Sequence, residues 1–287
     1  MDFDVELTDA TLGAIVTKVD LGFLSDNTFA HLLRLWHERA VLVFPGQHLS
    51  DEAQIAFSAR FGAFERGLKQ SSDVKLARLS NVKADGTVAA PDSLQARFHL
   101  GNTHWHSDSS YKRVGAKASL LSARVVPSSG GETEWADMRA AWDALHVTTQ
   151  RQLESKAAVH SYAYSHSWHG GLEIVGADDL ARLAPVQHPL VRVHPATGRR
   201  SLFVGRHASH IVDADEASSR ALLQQLTEQA CQPPRLWKHA WKVGDIAIWD
   251  NRCVLHRGHL WPADQARTMV RTTIAGDAPD NEWAMQA

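Results

Sequence analysis

The chain has 287 residues, 44% hydrophobic and 22% charged, a composition that builds an ordinary globular core and argues against disorder. Thirty basic and 32 acidic residues leave a formal net charge of −2, so no basic field is offered to a phosphate backbone; the expected partners are small molecules rather than nucleic acid. Cys231 and Cys253 are too few for a disulfide framework, no basic segment followed by an apolar one opens the chain, and no run of 18 apolar residues occurs, so a cytoplasmic protein with no membrane partner is expected.

In chain order, residues 11–19 read as a strand leading to a helix at about 27–40, where Phe29, Leu32, Leu33 and Trp36 recur at helical spacing behind a Ser25-Asp26-Asn27 cap. Val41-Leu42-Val43-Phe44 is a short buried strand stopped by Pro45-Gly46, and Ser50 opens a second helix that Gly62 ends. Residues 67–100 are polar and punctuated by Gly and Pro, with strand character only at 79–82, which fits a functional loop. Lys69 and Lys83 lie in it, as solvated surface lysines or as contacts for an anion. The stretch Trp105-His106-Ser107-Asp108-Ser109-Ser110 has strand-like composition; strands at 118–126 and 132–135 follow, then a helix at 138–145 capped by Asp137 and another at 149–158. Residues 161–185 lack periodicity and carry Tyr162, Tyr164 and Trp168, a composition suited to a lid or specificity loop. A hairpin is expected from residues 190–194 and 201–205, a helix over 215–230, and strands over 235–241, 246–249, 252–257 and 267–274. No repeat or linker divides the chain, so one domain spanning residues 1–287 is expected, a β-rich α+β fold with a β-sandwich or jelly-roll core and flanking helices.

Two clusters of residues suggest chemistry. In a strand, His106 and Asp108 would project from one face, supplying two thirds of the 2-His-1-carboxylate set that binds non-haem Fe(II). With 17 histidines in the chain this pair alone is weak; the candidate third ligand is His256, at the end of a predicted strand, in competition with His207 and His210. Arg267, Met269, Arg271 and Thr273 share one face of the last predicted strand, which sets two guanidiniums about 13 Å apart. Facing inward, each needs an anion, and arginine suits a carboxylate; facing outward, or paired to Asp or Glu, they carry no such meaning.

His106-x-Asp108, Thr133, His256, Arg267 and Arg271, in this order and spacing, resemble the Fe(II)/2-oxoglutarate dioxygenases of the taurine and 2,4-dichlorophenoxyacetate class. Within that class the likeness is strongest to aryloxyalkanoate herbicide dioxygenases, through the blocks Val41-Leu42-Val43-Phe44-Pro45-Gly46-Gln47, Arg60-Phe61-Gly62, Ser80-Asn81-Val82, Gly205-Arg206-His207-Ala208-Ser209-His210 and residues 249–258. The resemblance implies a double-stranded β-helix (jelly roll) and a homo-oligomer. It implies Fe(II) held by His106, Asp108 and His256, and 2-oxoglutarate held through its distal carboxylate by Thr133 and Arg267. It also implies O2 as cosubstrate and a small anionic organic substrate received by Arg271, with Asn102, Lys69 and Lys83 as further substrate contacts. The implied reaction hydroxylates that substrate, an aryloxyalkanoate cleaved to a phenol and a 2-oxo acid, with succinate and CO2 as coproducts. A sulfonate, a sulfate ester or an N-acyl amino acid would serve the same chemistry. A zinc hydrolase would use the same ligands but has no use for Thr133 and Arg267, and an anion-binding jelly roll without activity leaves the three ligands unexplained.

Overall fold

A computed structural model describes the chain except for residues 1, 67–74, 92, 169–171, 173–176 and 278–287. Lys69 and part of the 161–185 segment therefore lie outside the described residues. In chain order the strands are β1 (Asp4–Leu7), β2 (Ala14–Thr17), β3 (Val41–Phe44), β4 (Ala77–Ser80), β5 (Ala118–Val125), β6 (Thr133–Asp137), β7 (Ala157–His160), β8 (Val186–Pro189), β9 (Val191–Val193), β10 (Arg200–Leu202), β11 (Ala208–Ile211), β12 (Leu236–His239), β13 (Ile246–Asp250), β14 (Val254–Gly258) and β15 (Thr268–Ile274). The helices are α1 (Asp26–Arg39), α2 (Asp51–Ala59), α3 (Leu94–Gly101), α4 (Met138–Asp143), α5 (Val147–Leu153), α6 (Tyr162–Ser167), α7 (Ala177–Arg182) and α8 (Glu216–Ala230).

Seven strands form one mixed sheet in the order β1-β2-β3-β13-β5-β15-β4, in which only β2 and β3 run parallel. Alternation along its strands divides the side chains between two layers. Leu42 and Phe44 of β3, Ala118 and Leu120 of β5, and Ile246 and Ile248 of β13 pack against Leu32 and Trp36 of α1 and Phe57 of α2. Val41 and Val43, Leu121 and Ala123, and Ala247 and Trp249 point the other way, onto Trp135 of β6 and Val254 of β14. Trp135 and Val254 belong to a three-stranded antiparallel sheet, β12-β6-β14. Its opposite face, with Ala136 and Leu255, meets Leu223 and Leu226 of α8. Two sheets thus face each other, with helices on the outside of both. The space between them is where His256 of β14 and Arg271 of β15 point.

Ser25, Ser50, Asp137 and Asp215 each accept a backbone N–H at a helix start; the first three are starts that the sequence predicts. Three expectations need correction. The helix expected over 149–158 ends at Leu153, and Ala157–His160 is instead β7, paired with β8 and β11. Its apolar run reads equally well as a buried helix turn or a strand, and tertiary pairing decides. Residues 67–100, with strand character expected only at 79–82, and the aperiodic residues 161–185 also hold helices: Ser93 caps α3 and Ser161 caps α6. The stretch 105–110 is not a strand: His106 makes an isolated bridge to His256, and Asp108 lies in a turn whose next residue, Ser109, has φ +57°.

Candidate active site

His256 leaves β14 on the same side as Val254, toward the space between the sheets. Its N–H donates to the His106 carbonyl (2.8 Å) and the His106 N–H returns the bond (3.0 Å), so the bridge fixes the two imidazoles side by side, with ring centroids 4.2 Å apart. Asp108 is aimed at them by a different device. Its N–H donates to Asn251 Oδ1 (3.1 Å), which also accepts from Trp249 Nε1, while Ser107 Oγ donates to the Asn251 carbonyl. Asn251 Nδ2 in turn donates to Ser119 Oγ, and that hydroxyl donates to Asp108 Oδ2 at 2.6 Å. The β13–β14 turn therefore clamps the acidic residue from beneath.

His106, Asp108 and His256 are all buried, and one potential ligand atom from each lies within 4.8 Å of the others. His106 Nδ1 donates to the His104 carbonyl (2.8 Å), which leaves a lone pair on Nε2, 4.0 Å from Asp108 Oδ1. His256 Nε2 is 3.6 Å from Asp108 Oδ2. Burial holds both imidazoles neutral, His256 down to about 4 and His106 below its ordinary value. Burial alone would raise the Asp108 carboxyl, but the Arg271 guanidinium and the bond from Ser119 outweigh it and keep it ionised below the usual carboxylate range. Two neutral imidazoles and a carboxylate, converging from fixed backbone, are the donor set of a facial metal site.

The competing histidines are spoken for. His207 Nδ1 bonds Ser165 Oγ, and His210 Nδ1 lies 3.0 Å from Ser209 Oγ. A second buried group, His194, Asp250 and Cys253, also has ligand-like spacing. There Asp250 is already held by both Arg252 Nε (2.8 Å) and Nη2 (2.6 Å) and by His194 Nε2 (2.9 Å), while His194 Nδ1 accepts from the Ala196 N–H. It is an internal ion-pair network.

Two chambers meet at the trio and share Asn102, His106 and Arg271 in their walls. The smaller, about 60 Å³, contains Thr133, Trp261 and Arg267. Trp241 Nε1 donates to Thr133 Oγ1 (3.0 Å), so the threonine proton is left to donate elsewhere. Arg267 is buried without a carboxylate. Nη2 donates to the Gly131 carbonyl (2.9 Å), Nε has no partner, the indole of Trp261 covers the guanidinium at 4.9 Å, and burial lowers its pKa to about 10. Gly131, at φ +72°, has to be glycine because a Cβ there would sit 2.9 Å from Arg267 Nε. The larger chamber, about 200 Å³, contains Asp108, Tyr111, Tyr162, Arg206 and His207. Of the alternatives the sequence leaves open, Arg271 on β15 faces inward and is also paired: Nη1 lies 3.1 Å from Asp108 Oδ1. Arg267 precedes β15 across a register shift at Thr268/Met269 and lines only the smaller chamber, whereas Arg271 lines both. Lys83 is exposed in the turn closed by Lys83 N–H and the Thr87 carbonyl, outside both walls. Asn102 caps α3, and its carbonyl accepts from the Gly258 N–H. Sequence reasoning missed Ser119, Asn251, Trp241, Trp261 and Arg206; only Arg206 and Asn251 fall in motif blocks that the sequence singles out.

Other buried imidazoles set the acid limit of the fold. His160, His188 and His207 are each no more than 2% exposed; burial lowers His188 to about 4 and the other two below their ordinary value. A base with a depressed folded pKa is protonated first in the unfolded chain, so stability present above about pH 6.5 is lost as pH falls toward 4, at up to about 1.4 kcal/mol per pH unit for each group. Urea midpoints measured from pH 7.5 to 4.5 are expected to fall steadily below 6.5. A flat profile would mean these rings are charged or solvated in the native state.

Facing sheets that enclose a buried two-histidine, one-carboxylate cluster, with an arginine-lined chamber on either side, define the chain as a dioxygenase. It belongs to the taurine catabolism dioxygenase TauD, TfdA family, which matches residues 5–273. It is 44% identical over 290 residues to a (S)-phenoxypropionate/alpha-ketoglutarate-dioxygenase of Sphingobium herbicidovorans, covering 99% of this chain and 98% of that enzyme. To an alpha-ketoglutarate-dependent 2,4-dichlorophenoxyacetate dioxygenase of Cupriavidus pinatubonensis it is 44% identical over 252 residues, 85% of this chain and 88% of that one. The crystal structure of AAD-2 in complex with Mn(II) and N-oxalylglycine superposes with a TM-score of 0.90 at 38% identity, covering 98% of this chain and all of that one (100%).

Proposed function

We propose that the chain is an Fe(II)- and 2-oxoglutarate-dependent dioxygenase that hydroxylates a small aryloxyalkanoate, which then separates into a phenol and a 2-oxo acid. The observation that carries this reading is the cluster of His106, Asp108 and His256 at the junction of two chambers, one of them holding a buried arginine without a carboxylate. His106, Asp108 and His256 would hold the iron; with 2-oxoglutarate and O2 bound, the metal supplies oxidative decarboxylation to succinate and CO2 coupled to hydroxylation of a substrate C–H. Thr133 and Arg267 bind the distal carboxylate of 2-oxoglutarate, the hydroxyl and the guanidinium both being donors with capacity to spare. The larger chamber takes the prime substrate, whose anionic group is received by Arg271, with Asn102 beside it; Lys83, being exposed, is an outer contact at most, and Lys69, outside the described residues, is kept as a substrate contact on the sequence resemblance alone. The two facing sheets are read as the halves of a double-stranded β-helix within one 287-residue domain, which self-associates. Among the described residues no helix is long and apolar enough to cross a membrane.

The chain's own residues do the rest. His104, Asn251 and Ser119 fix the ligand orientations, and the walls of the larger chamber orient the C–H to be attacked. Ser119→Ala removes the 2.6 Å bond to Asp108 and is expected to weaken iron affinity about 10–100-fold with the fold intact, as read by metal titration and melting temperature. The deciding experiment is a succinate-release screen with Fe(II), 2-oxoglutarate and O2 across aryloxyalkanoates, sulfonates, sulfate esters and N-acyl amino acids. Succinate and a phenol formed together from an aryloxyalkanoate support the reading; release only with one of the other classes would replace the substrate and keep the reaction.

A further inference from the structure

Four arginines are buried among the described residues: Arg139, Arg206, Arg252 and Arg267. Arg139 is paired with Asp137, and Arg252 with Asp250. Arg267 faces the small chamber, where the reading above gives it the distal carboxylate of 2-oxoglutarate. Arg206 alone has neither an acid nor an assigned anion. It is 8% exposed, its Nη1 donates to the Gly101 carbonyl and its Nε donates to His207 Nε2 (3.4 Å). No carboxylate among the described residues lies within ion-pair distance of it. An unpaired guanidinium in such a place is costly, and the cost is recovered when an anion arrives.

Its position is built rather than incidental. The Arg206 N–H donates to the Trp105 carbonyl (2.9 Å), one residue before His106. Gly205, at φ +111°, lets the backbone come this close, since a Cβ there would stand 2.9 Å from that same carbonyl oxygen. His207 Nδ1 bonds Ser165 Oγ at 2.8 Å; with the ring held neutral by burial and accepting from Arg206 at Nε2, its one proton sits on Nδ1. The imidazole therefore aims the guanidinium. Beyond it the chamber wall is aromatic: Tyr111 meets Tyr162 at 4.7 Å and His207 at 4.9 Å, and Tyr162 stacks on His166 at 4.0 Å. Arg271 lines the same chamber but already shares its charge with Asp108.

We infer that Arg206 binds the carboxylate of an aromatic substrate acid, as the buried cation of this wall, set deeper than Arg66 and Lys75 at its rim, with His207 positioning it and Arg271 divided between the substrate and Asp108. This rests on the reading of the larger chamber as the prime-substrate site. The test is calorimetric titration of phenoxyacetate and of its neutral amide, phenoxyacetamide, into the anaerobic Fe(II)- and 2-oxoglutarate-loaded enzyme, for wild type, Arg206→Gln and Arg206→Lys. Wild type is expected to bind the acid at least about 30-fold tighter than the amide, Arg206→Gln to lose about 30-fold toward the acid alone, and Arg206→Lys to recover part of it. A loss below about three-fold, an equal loss toward acid and amide, or a wild type that does not bind phenoxyacetate would each overturn the assignment. Wild-type succinate release in the substrate screen is read separately. Binding that depends on Arg206 without turnover of any aryloxyalkanoate would refute the proposed reaction while leaving the anion site in place.

Discussion

His106→Ala and Asp108→Ala are each expected to abolish 2-oxoglutarate-dependent succinate formation, reducing it by more than about 1,000-fold, and to leave the purified protein without stoichiometric iron. The reason is the small number of donors. Three side chains converge within 4.8 Å, and each is oriented by a specific bond: His106 by the His104 carbonyl, Asp108 by Ser119 and Asn251, His256 by the two-way bridge to His106. Loss of an outer hydrogen-bond partner costs such a site about 10–100-fold in metal affinity, and loss of a ligand costs more because no neighbouring donor can replace it. His207, the nearest spare imidazole at 6.3 Å between ring centroids, is committed to Ser165 and Arg206. Asp108→Ala carries a second cost, since it strips Arg271 of its carboxylate. Iron content by metal analysis, succinate by chromatography and melting temperature, measured on one preparation, separate ligand loss from unfolding. Full activity in either variant would remove the iron assignment.

The parts of this protein that were legible from sequence are those governed by local periodicity. β3, β13 and β15 are readable because their alternating residues are apolar or functional in step with the pleat, and α1, α2 and α8 because their caps are serine or aspartate in the expected place. The structure brings His106, Asp108 and His256 together, but not for the reason that the spacing of the first two suggests. A strand period does not align them; a turn with Ser109 in the left-handed region and the side chain of Asn251, 143 residues away, does. Bonds of that span leave no trace in spacing. The same holds for the pairing of Arg271 with Asp108, 163 residues apart, and for the burial of Arg206, which the motif Gly205-Arg206-His207 does not by itself reveal. Residues 157–160 failed for a different reason: four residues with no breaker carry no information about whether β8 and β11 will be there to pair with them.

The division of labour between Arg267 and Arg271 is the most demanding expectation, because in sequence they look equivalent. Arg267→Gln is expected to raise KM for 2-oxoglutarate about 30–100-fold and to leave KM for the prime substrate within about two-fold, the size of one lost bidentate, charge-assisted contact. Arg271→Gln is expected to do the reverse. The physical basis is their different surroundings: Arg267 is buried, held by the Gly131 carbonyl and the face of Trp261, with its backbone N–H fixed by Asn81 Oδ1 at 2.8 Å, whereas Arg271 is partly exposed and spends one nitrogen on Asp108. Arg267→Lys should recover little, because an ammonium offers neither the planar fork that matches a carboxylate nor a flat surface for the indole. Initial rates measured with each substrate varied in turn decide the matter. Equal effects of the two glutamine variants on both KM values would mean that the chambers exchange contents and that the strand presents a single anion site.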